Sequence, residues 1–126
     1  MQEHNPEDRT WGILCHVASI AGFVVPFGNI FGPLIIWLIK KEEDPYIDAQ
    51  GKESLNFQIS ITIYGAILFV LFVIAFLISP NFSFVLFVWL ALLGFLGTVV
   101  ILVILGSVQA SKGNIYKYPF TIRFLR

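Results

Sequence analysis

Length, composition and charge place this chain among integral membrane proteins. Its 126 residues are 57% hydrophobic and only 13% charged, whereas about a quarter of the residues of a soluble domain carry charge. The formal net charge is zero, and the basic residues are scattered among acidic neighbours without a recognition motif, which argues against nucleic-acid binding. No secretory signal peptide is evident in the acidic, polar first residues, so we expect the first apolar segment to remain as a membrane anchor.

Two stretches without charge set the membrane segments. Asp, Glu, Lys and Arg are absent from Thr10 to Ile39 and from Ser54 to Ser111, and one membrane-spanning helix needs about 20 apolar residues. The second stretch therefore holds two spans. The first is interrupted by "VVPFGNIFGP", whose prolines and glycines favour a turn, so we predict two shorter helices there; a single kinked helix is the alternative. We thus expect an all-α integral membrane protein with four transmembrane or re-entrant segments, at about residues 11–25, 30–40, 54–78 and 84–110.

The polar segments complete a predicted topology. Asp44 followed by Pro45 suits the start of a helix, so we predict a short interfacial helix at about 45–51 that turns at Gly51 into the third segment. Residues 1–10 are predicted to form a cytoplasmic tail. In this arrangement every Lys and Arg lies on one side, which the positive-inside rule assigns to the cytoplasm. We therefore expect a multi-pass protein of a bacterial inner membrane with both termini cytoplasmic.

The C-terminal segment, residues 112–126, changes to a period of two. Aromatic and apolar residues alternate with Lys117, Pro119 and Arg123, which predicts an extended segment with an aromatic face. Pro119 restricts it to an edge or unpaired strand. Aromatic and basic residues of this kind suit the headgroup layer, so we predict an interfacial tail, with a strand that docks on a partner as the alternative.

Polar residues inside the apolar segments are the candidate functional sites. His16 is ionisable and lies in the first segment, where it can be a proton relay or a neutral histidine bonded to a neighbouring helix. Asn56, Ser60 and Tyr64 fall within about 80° of one another on a helix, and Gln58 lies on a second stripe. These side chains either bond to other helices or, together with His16, line a hydrated path.

Catalytic, cofactor and metal sites are not predicted. No second His and no Cys lies at ligand spacing from His16, and no nucleophile, phosphate-binding or metalloprotease motif occurs. The chain is therefore not expected to be an enzyme.

Two long motifs resemble a known group of proteins. "GNIFGPLIIWLIKKEEDPYIDAQGKESLNFQISITIY", residues 28–64, and "ASKGNIYKYPFTIRF", residues 110–124, resemble small bacterial membrane proteins of unknown function. That group is in turn similar to the small four-helix subunit of the chloroplast inner-envelope protein translocon (Tic-twenty-like). The resemblance marks a candidate interfacial motif that comprises Asp48, Lys52, Glu53, Tyr118 and Pro119.

The resemblance implies a non-catalytic interaction or protein-translocation-related component. Its partners would be the lipid bilayer and either other membrane proteins or further copies of itself, and no cofactor is implied. A small channel or transporter, with a path lined by His16, Asn56, Ser60 and Tyr64, is the alternative from a different class. A membrane scaffold without transport activity is a third possibility.

Overall fold

The computed structural model describes residues 4–126, and these residues form an all-helical protein. Helix α1 spans Pro6–Val17 and continues into a 3₁₀ helix at Ala18–Phe23; α2 spans Gly28–Lys40, α3 Pro45–Ile78 and α4 Phe82–Ser111. No strand occurs among the described residues. The predicted all-α fold is confirmed, whereas the alternating tail forms no strand.

Helix α3 is one continuous helix of 34 residues. It begins where predicted, because the Asp44 side chain accepts a hydrogen bond of 2.6 Å from the Tyr46 amide. The turn predicted at Gly51 is wrong, and the predicted helix at 45–51 is the first part of α3. Gly51 serves packing instead, since the ring of Trp37 lies where a Cβ would stand. That contact offsets the cost of a glycine in a helix interior, about 1 kcal/mol relative to alanine.

The first apolar stretch contains the predicted break. Residues 24–27 separate the 3₁₀ helix from α2, and Phe27 adopts a left-handed conformation with φ of 60°. Close packing holds the two arms together, because Gly32 lies against the backbone carbonyl of Ala18. A single kinked helix is therefore excluded. At 13 residues, α2 extends only about 20 Å, which is shorter than the hydrocarbon core of about 30 Å.

Two helices, α3 and α4, are long and apolar enough to cross a membrane, and the most apolar 18-residue window of each is fully outside the protein core. Their outer halves, residues 63–100, form what we call the distal hairpin. Among the described residues, every buried side chain lies outside the distal hairpin. Residues 4–62 and 101–126 form the remainder, which we call the base.

Two small hydrophobic clusters form the core of the base. Cys15, Tyr46 and Ile47 pack together between α1 and α3, with Trp11 and Ile36 against them. Phe57, Val103 and Tyr118 form the second cluster, which joins α3, α4 and the C-terminal segment. At 1.5 Å per residue α3 is about 51 Å long, which exceeds the hydrocarbon core of about 30 Å.

Candidate functional site

The first half of α3 is the most polar buried surface of the protein. Seven side chains there are buried and polar or hydroxyl-bearing, and they bond to three different parts of the chain: Tyr46, Gln50, Glu53, Ser54, Asn56, Gln58 and Ser60. Unpaired buried polar groups cost about 1–3 kcal/mol each. The partners of these side chains therefore decide how the base assembles.

His16 lies at the centre of this network. Its Nε2 is 2.7 Å from Gln50 Oε1 and its Nδ1 is 2.8 Å from the Tyr118 hydroxyl. Gln50 donates its Nε2 to the Asn114 carbonyl at 2.7 Å, so its Oε1 must be an acceptor. His16 Nε2 consequently carries a proton and donates it to Gln50, while Nδ1 accepts from Tyr118.

Burial lowers the pKa of His16, although the bond to Gln50 and the charge of Glu53 oppose that shift. The histidine is therefore neutral near pH 7. Of the two interpretations of His16, the structure places it as a neutral histidine bonded to neighbouring segments.

Tyr118 connects α1, α3 and α4. Its ring stacks on Phe57 with a centroid distance of 4.1 Å, and its hydroxyl lies directly over Gly106 of α4, where any Cβ would overlap it. Burial raises the pKa of the Tyr118 phenol, and the nearby charge of Glu53 raises it further. The phenol is therefore a hydrogen-bond donor at any physiological pH.

Glu53 holds the C-terminal segment by charge. Its Oε1 accepts from the Tyr118 amide at 2.7 Å and from Arg123 Nη1 at 2.7 Å. Lys117 Nζ lies 3.8 Å from Oε2. The carboxylate is only 3% exposed, and a buried charge of this kind is tolerated because it is paired and hydrogen-bonded.

The predicted stripe of Asn56, Ser60 and Tyr64 forms a ladder to the backbone of the C-terminal segment. Asn56 accepts from the Leu125 amide at 2.8 Å and donates to the Leu125 carbonyl at 2.9 Å. Ser60 accepts from the Ile122 amide at 2.8 Å. Tyr64 donates to the Phe120 carbonyl at 2.6 Å.

This ladder shows the path of the C-terminal segment. From Asn114, beside Gln50, the chain rises along α3 to Phe120, beside Tyr64, and then returns to Leu125, beside Asn56. The reversal follows Pro119, and Phe120 has a left-handed φ of 56°. The segment is therefore a loop docked on α3, which we call the tail loop (residues 114–126); its place at the membrane interface stays a prediction.

The second stripe of α3 bonds to the first hairpin. Asn29 donates to Gln58 Oε1 at 3.1 Å and to Thr62 Oγ1 at 3.0 Å. Ser54 donates to the Cys15 carbonyl at 2.6 Å. The two stripes thus face two different neighbours, the tail loop and the α1–α2 hairpin.

The remaining residues of the predicted interfacial motif divide into two groups. Glu53 and Tyr118 meet in the network, and Pro119 precedes the exposed reversal of the tail loop. Asp48 and Lys52 lie elsewhere, because Asp48 accepts from Trp37 Nε1 at 2.8 Å and pairs with Lys52 Nζ at 2.7 Å. The hydrogen bond from Trp37 joins α2 to α3, whereas the Asp48–Lys52 pair lies within α3.

Several residues of the network were not predicted from the sequence. Gln50, Asn29, Gly106 and Arg123 are the main ones, and each has a partner at least 12 residues away in the chain. Gln50 lies four residues before Ser54, and this spacing could have indicated that the two side chains share one face of the helix. The spacing of Gly106 and Ala110 indicates a surface for close packing, but it does not indicate that the Tyr118 hydroxyl occupies the space beside Gly106.

The arrangement binds the chain to itself. The polar atoms of His16, Asn56, Ser60 and Tyr64, predicted either to bond to neighbouring segments or to line a hydrated path, bond to Gln50, Tyr118 and the tail loop. Among residues 4–126 no group of three or more His, Cys, Asp or Glu side chains is placed to hold a metal ion.

Fold and network together define a small helical membrane protein with two apolar helices and a polar base. The model of the MamF/MmsF family, described as the magnetosome magnetite crystal formation protein family, matches residues 7–125. The chain belongs to this family. Neither a curated protein nor a solved structure matches the chain.

The family match corrects the resemblance drawn from the sequence. Similarity to the chloroplast translocon subunit is wrong, because the match that covers almost the whole chain is to MamF/MmsF and the comparisons give no link to that subunit. The expectation of a role in protein translocation has no support. Both the fold and the family support the prediction of a membrane protein.

Proposed function

We propose that this protein is a non-catalytic membrane component of magnetite crystal formation. The observation that carries the proposal is the family match over residues 7–125, which covers the base and the distal hairpin alike. Two helices that can cross a membrane are consistent with a place in the membrane around the growing crystal. In this role the protein acts through its position in that membrane and through its neighbours.

The distribution of charge supports one orientation. Every Lys and Arg lies in the base, and the stretch from Ser54 to Ser111 carries no charged residue. By the positive-inside rule the base then faces the cytoplasm, and the short turn of the distal hairpin at Ser79–Asn81 faces the interior of the compartment. Lipids, further copies of this chain and other membrane proteins are the neighbours available to it.

Complementation in a magnetite-forming bacterium tests the proposed function. The full chain is expressed in a strain from which its own members of this family have been deleted, and crystal dimensions are measured by electron microscopy. We expect the crystals to regain the parental size distribution. An immunoblot of isolated magnetosomes shows whether the protein reached the membrane.

A variant provides the matched control. Leu71→Ile alters only an exposed apolar side chain of the distal hairpin and should complement as the unmodified chain does. If the unmodified chain is present in the magnetosome membrane and crystal dimensions remain those of the deletion strain, the proposed function is wrong.

A further inference from the structure

A basic cleft lies between α3 and the tail loop, and Glu53, Asn56 and Arg123 of the buried network form part of its wall. Its volume is about 390 Å³. Four basic side chains and one carboxylate are the charged groups that line it: Lys52, Lys117, Arg123, Arg126 and Glu53. Positive charge therefore predominates in a concave surface that opens to the outside of the protein.

The one carboxylate in the cleft, that of Glu53, already has hydrogen-bond partners within the protein. Glu53 Oε1 accepts hydrogen bonds from the Tyr118 amide and from Arg123. Lys117 is 3.8 Å from Glu53 Oε2, and its side chain is 75% exposed. An anion in the cleft can thus be contacted by Lys117 and Arg126 without breaking the bonds that hold the tail loop.

If α3 crosses the membrane with its end at Ile78 at one boundary, the cleft lies at the level of the lipid headgroups. A hydrocarbon core of about 30 Å accommodates about 20 helical residues, and counting back from the end of α3 at Ile78 places its boundary near residue 59. Asn56 and Glu53 in the cleft wall are then about 5–9 Å below that boundary. This is the depth of the phosphate groups, since headgroup regions add about 5–8 Å on each side of the core.

Two exposed phenylalanines lie on the tail loop, which forms one wall of the cleft. Phe120 is 89% exposed at the reversal of the tail loop, and its carbonyl is held by Tyr64, one helical turn into the hydrocarbon region. Phe124 is 51% exposed on the returning arm. The tail loop thus carries both basic side chains of the cleft and exposed apolar side chains, which are the two kinds of group that a phospholipid contacts.

We propose that this cleft binds the phosphate group of an anionic phospholipid of the adjacent leaflet. Lys117 and Arg126 contact the phosphate, and Phe120 and Phe124 pack against the acyl chains. Free inorganic phosphate shares the headgroup chemistry, but it supplies nothing to the two exposed phenylalanines. The proposal concerns lipid binding alone and does not depend on the role in crystal formation.

Lipid titration of the full chain tests this proposal. The protein is purified in a neutral detergent and titrated with phosphatidylglycerol, and the bound lipid is counted by native mass spectrometry. Phosphatidylcholine is the reference lipid, and inorganic phosphate is the competitor. We expect preferential retention of phosphatidylglycerol that added inorganic phosphate does not displace at equal concentration.

Variants of the exposed basic residues locate the site. A basic residue near an anionic lipid surface contributes about a fivefold gain in affinity, so Lys117→Gln combined with Arg126→Gln should weaken phosphatidylglycerol binding by about 25-fold. Lys112→Gln is the matched control, because Lys112 is also exposed and basic but lies outside the cleft. Lys117→Arg should retain binding.

Three results would overturn the proposal. Unchanged binding in the double variant, with helix content by circular dichroism also unchanged, would remove the cleft as the site. Equal losses in Lys112→Gln would indicate diffuse surface charge. Displacement of the lipid by an equal concentration of inorganic phosphate would show that the cleft takes free phosphate rather than a phospholipid.

Discussion

Glu53 shows how much a single side chain contributes to the base. It is the one buried carboxylate among residues 4–126, and it binds the tail loop through both the backbone of Tyr118 and the guanidinium of Arg123. Hydrogen bonds to charged groups are about twice as strong as neutral ones. Docking of the tail loop should therefore depend on the negative charge as well as on the shape of this residue.

We expect Glu53→Gln to loosen the tail loop while leaving the helices folded. The amide can still accept from Tyr118, but the charged bond to Arg123 is lost, at a cost of about 1.5 kcal/mol. That cost corresponds to about a tenfold fall in hydrogen-exchange protection of the Tyr118 amide. Exchange followed by mass spectrometry on peptides of the tail loop measures it.

Glu43→Gln is the control for this experiment. Glu43 is exposed and pairs with Lys40 at 2.9 Å on the protein surface, where such pairs contribute little. Equal protection of the Tyr118 amide in both variants would mean that Glu53 acts by shape alone.

His16 makes the stability of the base depend on pH. Burial lowers the pKa of His16 below its ordinary value of 6.5, so the unfolded state binds a proton more readily than the folded state as pH falls below about 6.5. Stability is therefore complete above this value. It declines below it by up to about 1.4 kcal/mol per pH unit until the folded histidine also becomes protonated.

Thermal unfolding at about pH 7.5 and about pH 5.5 tests this expectation. The unmodified chain should lose more stability between the two values than His16→Gln does. His4→Phe is the control, because it removes the other histidine of the chain and keeps an aromatic ring where His4 stacks on Tyr46. If His16→Gln does not fold, nitrogen NMR of the unmodified chain replaces it, and a proton on Nδ1 instead of Nε2 would contradict the network.

At the scale of elements, the junction between α3 and the tail loop is built from side chains on one partner and backbone on the other. Asn56, Ser60 and Tyr64 are spaced four residues apart, so they form one row along the helix. The tail loop offers its carbonyls and amides to that row and forms no strand of its own. Its attachment therefore depends on a few polar side chains of α3.

We expect Asn56→Leu to release the returning arm of the tail loop. Both hydrogen bonds to Leu125 are lost, which costs about 1 kcal/mol each. Exchange protection should fall by at least about tenfold at the Leu125 amide. A smaller fall is expected at Tyr118, which Glu53 still holds.

Thr98→Val is the matched control for Asn56→Leu. Thr98 is also a polar residue of a long helix, but its hydroxyl bonds only to the Gly94 carbonyl of its own helix at 2.8 Å. Unchanged protection of Leu125 in Asn56→Leu would show that the ladder does not hold the arm.

Sequence reasoning succeeded for patterns that are local and failed for contacts that join distant segments. Charge-free stretches and the Asp44–Pro45 start predicted the long helices, and the four-residue spacing predicted that Asn56, Ser60 and Tyr64 share a face. A helical wheel gives the direction of a side chain and says nothing of its partner, so the tail loop was not foreseen. Gly51 shows the same limit. A glycine suits either a turn or a close contact, and here the ring of Trp37 packs against it, so the helix continues.

At the scale of the whole molecule, the base and the distal hairpin predict a simple topology. The loop at residues 41–44 belongs to the base, and the turn at Ser79–Asn81 lies at the other end of α3 and α4. If these two helices cross the membrane, the two turns must lie on opposite sides of it.

Labelling with a membrane-impermeant maleimide tests this topology. Single cysteines are introduced as Glu43→Cys or Ser79→Cys in a Cys15→Ala background, since Cys15 is the only native cysteine. We expect Ser79→Cys to react from outside intact spheroplasts and Glu43→Cys only in inverted vesicles. Labelling of both from the same side would exclude two spans.

Continuity of α3 has a mechanical consequence. The helix is a rigid rod of about 51 Å that is fixed at one end in the distal hairpin and at the other in the base. A change of only about 5° in its tilt moves the Pro45 end sideways by about 4 Å. A spanning helix that is longer than the local hydrocarbon thickness can tilt to fit it, so a change in bilayer thickness would reach the base as a sideways displacement transmitted along α3.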